Sequence, residues 1–170
     1  MSETLTASIP TPLERRITAV LQTLCDRDWT VATAESCTGG LFASVLTDVD
    51  GLGHAFEHGF VTYTDAAKTG DLGVPAELIE RCGVVSAGVA EAMARGCLER
   101  STCDLALSVT GFAGPAGDDD EEGLVFLALA ARDGRLLTSE NHFGALGRGA
   151  VRLRSLEAGV SLLEAALEGS

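Results

Sequence analysis

Apolar positions along the chain follow two rhythms, one of helical spacing and one of short unbroken runs. Leu13, Ile17, Val20, Leu21 and Leu24 recur at helical spacing behind Thr11, Pro12 and Glu14. Those three offer an N-cap, a first-turn proline and a glutamate in the capping-box position. A helix from Thr11 to about Asp26 is expected, preceded by a disordered lead over residues 1–10. Residues 29–34 are a short apolar run bounded by polar residues, the pattern of a buried strand. Leu41, Val45 and Leu46 predict a helix ending near Thr47, and residues 48–53 read as a turn-rich connection. A second strand is expected over residues 56–64, then a short helix around 65–72 and another opened by Pro75 and closed by Gly83.

Ser86 is a plausible cap for a helix carrying Val89, Ala90, Met93, Ala94 and Cys97 on one face. Residues 105–109 make a third buried strand, broken by the glycine loop from Thr110 to Pro115. Two further strands, 124–132 and 136–143, are joined by Asp133-Gly134, a strong hairpin signal. A last helix over residues 147–168 places Val151, Leu156, Val160, Leu163 and Leu167 on one side. Helices alternating with strands, plus one late hairpin, predict an α/β fold. Its form is a three-layer α/β/α sandwich with a mixed, mostly parallel sheet, covered on both faces. No internal repeat or long linker divides residues 11–168, so one domain is expected.

Composition narrows the function. The formal charge of −13 argues against a nucleic-acid binder, which needs clustered Lys and Arg. It argues equally against an anionic membrane surface, though an anionic small molecule remains compatible with local N–H groups and one or two cations. Part of the excess is the acidic run at residues 118–122, which reads first as a solvated loop. Five cysteines, an odd number without a C-x-x-C pair, suit a reducing cytoplasm better than a disulfide framework. No signal peptide and no apolar run of about 18 residues is seen, so a soluble cytoplasmic protein is expected.

Candidate chemistry begins where the first strand runs into Glu35-Ser36-Cys37-Thr38-Gly39-Gly40. A hydroxyl and a thiol sit side by side at a strand-to-helix turn, with glycines that leave N–H groups uncovered. Such an elbow can present a nucleophile and hold an anion at the helix's positive end; the bland alternative is an ordinary turn capped by Thr38. Thiolates are the better nucleophiles, and position alone does not choose between Ser36 and Cys37. A nucleophilic hydroxyl also needs a base. His54, His58 and His142 have no carboxylate at an orienting spacing, and no third ligand accompanies His54 and His58 for a metal. Lys68 is the only lysine among eleven arginines. Unlike arginine, a desolvated lysine can lose its proton near neutral pH.

Tyr63, the only tyrosine, stands five residues before Lys68 and could donate or relay a proton. Tyrosine and lysine also serve short-chain dehydrogenases, but no G-x-G-x-x-G follows the first strand here. The loop Thr110-Gly111-Phe112-Ala113-Gly114 leaves a strand's carboxyl end and offers a second anion-binding nest. Arg148, at the start of the last helix, could supply a fork to a phosphate.

Four segments occur in order: Ala34 to Gly40; Phe60-Val61-Thr62-Tyr63-Thr64-Asp65-Ala66-Ala67-Lys68; Gly83-Val84-Val85-Ser86; and Thr110 to Pro115. Together they resemble the CinA C-terminal domain family, which includes nicotinamide-nucleotide amidohydrolases of PncC type. The likeness runs from about Thr11 to Leu167. The resemblance implies hydrolysis of the carboxamide of nicotinamide mononucleotide to nicotinate mononucleotide and ammonia, without a cofactor or metal. It assigns catalysis to Ser36, Tyr63 and Lys68, favouring Ser36 over Cys37. Glu35, Thr38 and Gly39 are expected around the substrate, and Thr110, Gly111, Gly114 and Arg148 around its phosphate. Arg148 and Arg152 resemble the paired arginines that open the family's last helix.

Two departures stand out. The acidic run replaces a usually longer segment with a Lys-Pro, and the chain has no room for the N-terminal pyrophosphatase-like domain of larger CinA proteins. Two rival expectations follow: a catalytically silent ligand- or partner-binding module, and an amidase acting on a different nucleotide-like amide. A homodimer is expected on general frequency.

Overall fold

The computed structural model describes residues 9–168. Its elements are α1 (Thr11–Asp26), β1 (Val31–Glu35), α2 (Leu41–Leu46), a 3-10 turn (Gly53–Ala55), β2 (Phe56–Val61), α3 (Asp65–Leu72), α4 (Ala76–Cys82), α5 (Ala87–Glu99), β3 (Leu105–Gly111), β4 (Leu124–Ala131), β5 (Leu136–His142) and α6 (Arg148–Glu168). Residues 1–8 of the expected disordered lead lie outside the described residues. Ile9, also assigned to that lead, packs against the core.

One five-stranded sheet has the order β2-β1-β3-β4-β5. β1 pairs parallel with β2 and β3, while β3–β4 and β4–β5 are antiparallel. The sheet is therefore mixed: parallel at its first three strands and closed by the predicted hairpin. The turn extends beyond Asp133-Gly134, since β4 ends at Ala131 and β5 begins at Leu136; within it the Asp133 carboxylate accepts from the Arg135 N–H at 3.0 Å and from its Nε at 2.7 Å.

Alternation along the strands divides the core into two layers. Val31, Leu105, Leu107, Val109, Leu127 and Leu129 face α1, α2 and α6. Ala32, Ala34 and Ala106 face α3, α4 and α5. Small alanines on the second face let helices approach the sheet closely. At Gly96 of α5, an added Cβ would collide with the carbonyl of Leu72 at the end of α3. That contact sets α3 directly against α5.

The start of α1 departs from the expected capping box. Pro10 occupies the N-cap, and its carbonyl accepts from the N–H groups of Leu13 at 2.8 Å and Glu14 at 3.0 Å. Thr11 is already helical, so its hydroxyl makes no cap. Among the described residues no helix is long and apolar enough to cross a membrane.

The chain leaves β1 for β2 on one side and reaches β3 on the other. The carboxyl ends of these three parallel strands thus flank a switch in strand order, where open α/β sheets carry ligand crevices. The four segments singled out in the sequence converge there.

Candidate active site

The period-2 rhythm of β1 determines which way the elbow's side chains point. Glu35 continues the Val31–Thr33 face toward α2, and Ser36 continues the Ala32–Ala34 face toward α3. The Glu35 carboxylate is fully buried. It accepts from the Thr38 hydroxyl at 2.7 Å and from the N–H groups of Gly40, Phe42 and Ala43 at 3.1, 3.1 and 2.9 Å. A side-chain anion therefore occupies the N-terminal amides of α2. Charge-assisted bonds to a helix start are among the stronger ones a carboxylate makes.

This arrangement corrects three expectations. Glu35, Thr38 and Gly39 do not line the cavity described below; Glu35 and Thr38 turn inward, and Gly39 lies against the Arg152 guanidinium. Thr38 does not cap α2, because Gly40, with φ 96°, is the N-cap. The positive end of α2 is not open to a substrate anion. Among the described residues, the elbow N–H groups without a protein partner are those of Cys37 and Thr38.

Ser36 and Lys68 meet. Thr64 caps α3, its hydroxyl accepting from the Ala67 N–H at 3.1 Å, and this orients the first turn so that Lys68 points under the sheet's carboxyl edge. The Lys68 side chain is only 1% exposed. Its Nζ donates to the Thr62 carbonyl at 2.8 Å and to Ser36 Oγ at 3.0 Å. Burial pushes the Lys68 amine below the ordinary lysine value, against the opposing pull of Asp65 and of the Cys37 sulfur. The neutral amine is the form a base requires.

Cys37 is the weaker nucleophile here. Burial pushes its thiol up to about 12, so it stays protonated at neutral pH. Its carbonyl accepts from Arg152 Nε at 2.7 Å, which ties the elbow to α6.

A cavity of about 250 Å³ opens above Ser36 and Lys68. Its walls include Tyr63 and Asp65 on one side and Gly114 and Arg148 on another. Tyr63 is 61% exposed at the mouth, and among the described residues its phenol bonds to neither Ser36 nor Lys68. Thr110 is buried, and its hydroxyl donates to the Val84 carbonyl at 3.0 Å. Gly111 pairs in the ladder opposite Val125, and the Phe112 N–H is spent on the Leu124 carbonyl. The nest expected from Thr110 to Gly114 thus contracts to the N–H groups of Ala113 and Gly114. Arg148 packs so closely on Gly114 that any side chain there would meet its guanidinium, and it forms no ion pair among the described residues.

The histidines stand elsewhere. His58 stacks on Phe60 at 4.3 Å, and His142 pairs with Glu121 at 2.7 Å and Glu140 at 3.1 Å. None of the three lines the cavity, and neither does the acidic run at 118–122. Asp65, Val84, Val85 and Phe112 stood within the quoted segments but were given no individual role; all four line the cavity. A signal for Asp65 existed, since it lies between Tyr63 and Lys68 at the first position of a capped helix.

Comparison with known proteins identifies the family and the fold. The family model "CinA C-terminal domain" matches residues 13–167. "Nicotinamide-nucleotide amidohydrolase PncC" of Enterobacter agglomerans is 45% identical over 131 residues, covering 76% of this chain and 79% of that protein. A "CinA-like protein" of Akkermansia muciniphila is 52% identical over 122 residues, covering 71% of this chain but 30% of the relative. The chain spans between a quarter and a third of the length of such CinA-like relatives. Among solved structures, the competence/damage inducible protein CihA from Agrobacterium tumefaciens superposes with a TM-score of 0.91 at 39% identity, covering 96% of this chain and 99% of that one.

Proposed function

The chain belongs to the CinA C-terminal domain family, and on that premise we propose that it hydrolyses the carboxamide of nicotinamide mononucleotide, releasing ammonia and nicotinate mononucleotide. The observation that carries the reading is the buried Lys68 amine 3.0 Å from Ser36 Oγ at the floor of the cavity. The similarity to a PncC amidohydrolase supports it.

The proposed mechanism begins with Lys68 neutral. One N–H is held by the Thr62 carbonyl, so the lone pair is free to accept the Ser36 proton. Ser36 Oγ then attacks the carboxamide carbon, and the Cys37 and Thr38 N–H groups lie where a residue following the nucleophile commonly stabilises an oxyanion. Collapse of the tetrahedral intermediate breaks the C–N bond. Tyr63 at the mouth, or the Lys68 ammonium just formed, protonates the leaving nitrogen, and water then hydrolyses the acyl ester. Arg148, with the Ala113 and Gly114 N–H groups, holds the phosphate.

The acidic run, which favoured a silent binding module, lies away from the cavity walls, with Glu121 held by His142. The deciding experiment is ammonia release by the purified protein across a small panel of amides. Turnover of nicotinamide mononucleotide supports the reading. Saturable binding without turnover would make the domain a binding module, and release from another amide alone would reassign its substrate.

A further inference from the structure

The cavity is lined by opposite charges that come from different layers of the fold. Arg148 comes from α6, in the layer that packs with α1, and lies against Gly114. Asp65 comes from α3, in the other layer, and lines the cavity beside Tyr63 and Lys68. Among the described residues the Asp65 carboxylate enters no hydrogen bond or ion pair. An aspartate at a helix's first position also suits the helix dipole. That role needs no cavity, however, and Thr64 already caps α3.

Resting on the amidohydrolase reading, the geometry points to Asp65 as a specificity residue: its carboxylate selects a carboxamide borne on a cationic, N-substituted pyridinium ring over the same molecule with a neutral ring. The Lys68 amine must be neutral to act as a base, and the α3 wall then presents the uncompensated negative charge of Asp65. A ring cation beside it restores neutrality, and because Asp65 is exposed at the cavity's edge the contact is partly screened by water. The phosphate of the same ligand falls to Arg148 of α6. The site therefore matches a molecule with a positive ring at one end and a negative group at the other. The ring cation also disfavours the Lys68 ammonium, so binding replaces one cation near Asp65 with another.

Two ligands separate the charge from everything else: nicotinamide mononucleotide and its reduced dihydro form, which has a neutral ring on the same ribose phosphate. Their dissociation constants are measured by calorimetry on Ser36→Ala, which allows no turnover, and on Ser36→Ala carrying Asp65→Asn. The expected result is that the parent favours the cationic form by about five- to tenfold, the scale of one partly screened charge contact. The Asn variant should bring the ratio close to one while leaving affinity for the reduced form unchanged, which also shows that the fold is intact. Equal affinities in the parent, or a ratio that Asp65→Asn leaves in place, would overturn the inference, as would failure of both ligands to bind.

Ammonia release by the unsubstituted protein is followed in parallel. Without release, an Asp65-dependent ratio would still support ring-charge selection while the amidohydrolase reading falls. With release and an insensitive ratio, only the selection falls.

Discussion

Lys68 and Ser36, 32 positions apart in the chain, meet at 3.0 Å with the amine almost wholly removed from solvent. Among the described residues, two acceptors hold it, Ser36 Oγ and the Thr62 carbonyl. A buried ammonium with so little compensation is costly, and the neutral amine is correspondingly favoured. The pair is suited to activating an alcohol.

Replacing the base tests this most directly. Lys68→Met is expected to lower kcat/KM by roughly 10²–10⁴, the range for removal of a general acid–base group. Lys68→Arg should fail to rescue it, because a guanidinium does not deprotonate in this range. Ammonia-release kinetics check both, and substantial activity in the arginine variant would remove lysine from the role of base.

The pH dependence has a definite sign. Because the folded-state value of Lys68 lies below the ordinary 10.5, kcat/KM should rise with pH along a limb whose midpoint lies below 10.5. Burial is the main cause of the lowering, and Asp65 on α3 is the charge that opposes it. Stability follows the same direction, since the unfolded chain holds this proton more tightly than the folded one. The favourable contribution is complete above 10.5 and is lost as pH falls through the lowered folded value. Denaturant melts of the wild type against Lys68→Met should therefore diverge as pH falls, with the methionine variant gaining.

Glu35 should behave as a structural anion of the elbow. Glu35→Ala leaves the Gly40, Phe42 and Ala43 N–H groups and the Thr38 hydroxyl without their shared acceptor. A loss of about 3 kcal/mol in unfolding free energy is expected, within the range for orphaning buried polar partners. Glu35→Gln, which keeps one oxygen, should lose less. A variant as stable as the wild type in urea would contradict the assignment.

Arg148→Ala should raise KM for the mononucleotide by about ten- to a hundredfold, since charge-assisted bonds are worth about 1.5–3 kcal/mol. It should have little effect on kcat. The riboside, which lacks the phosphate, serves as the control: its KM should be unchanged. An equal loss for both substrates would place the phosphate elsewhere.

Cys37→Ala should retain activity to within about threefold, the small change expected when no transition-state contact is removed. The thiol, held near 12, should resist iodoacetamide at neutral pH while exposed Cys82 reacts. Mass spectrometry of the alkylated peptides reads this out, and early labelling of Cys37 would reopen its claim as nucleophile.

Helical spacing in α1, α5 and α6, the apolar runs of β1 and β3 and the Asp133-Gly134 hairpin were all legible, because each is a local pattern of burial. Residue type and order also singled out Ser36, Tyr63 and Lys68, of which the fold brings Ser36 and Lys68 into contact. The capping at Thr11 was misread because Thr11-Pro12-Leu13-Glu14 satisfies the same local rule one residue later than the chain uses it. The roles of Glu35 and Thr38 were misread because both have the chemistry of ligand-binding groups. Only the direction of their side chains shows that they serve α2 instead.

The linear order of residues determined the layered α/β architecture and the identities of the reactive groups, since hydrophobic periodicity and functional-group chemistry travel with the chain. Tertiary structure decided what those groups can do. Packing α3 against the Gly96 gap in α5 buried Lys68 and lowered its proton affinity, and the pleat of β1 sent Ser36 toward it while sending Glu35 the other way. Desolvation and side-chain direction depend on what surrounds a residue in space, and neither has a counterpart in its neighbours along the chain.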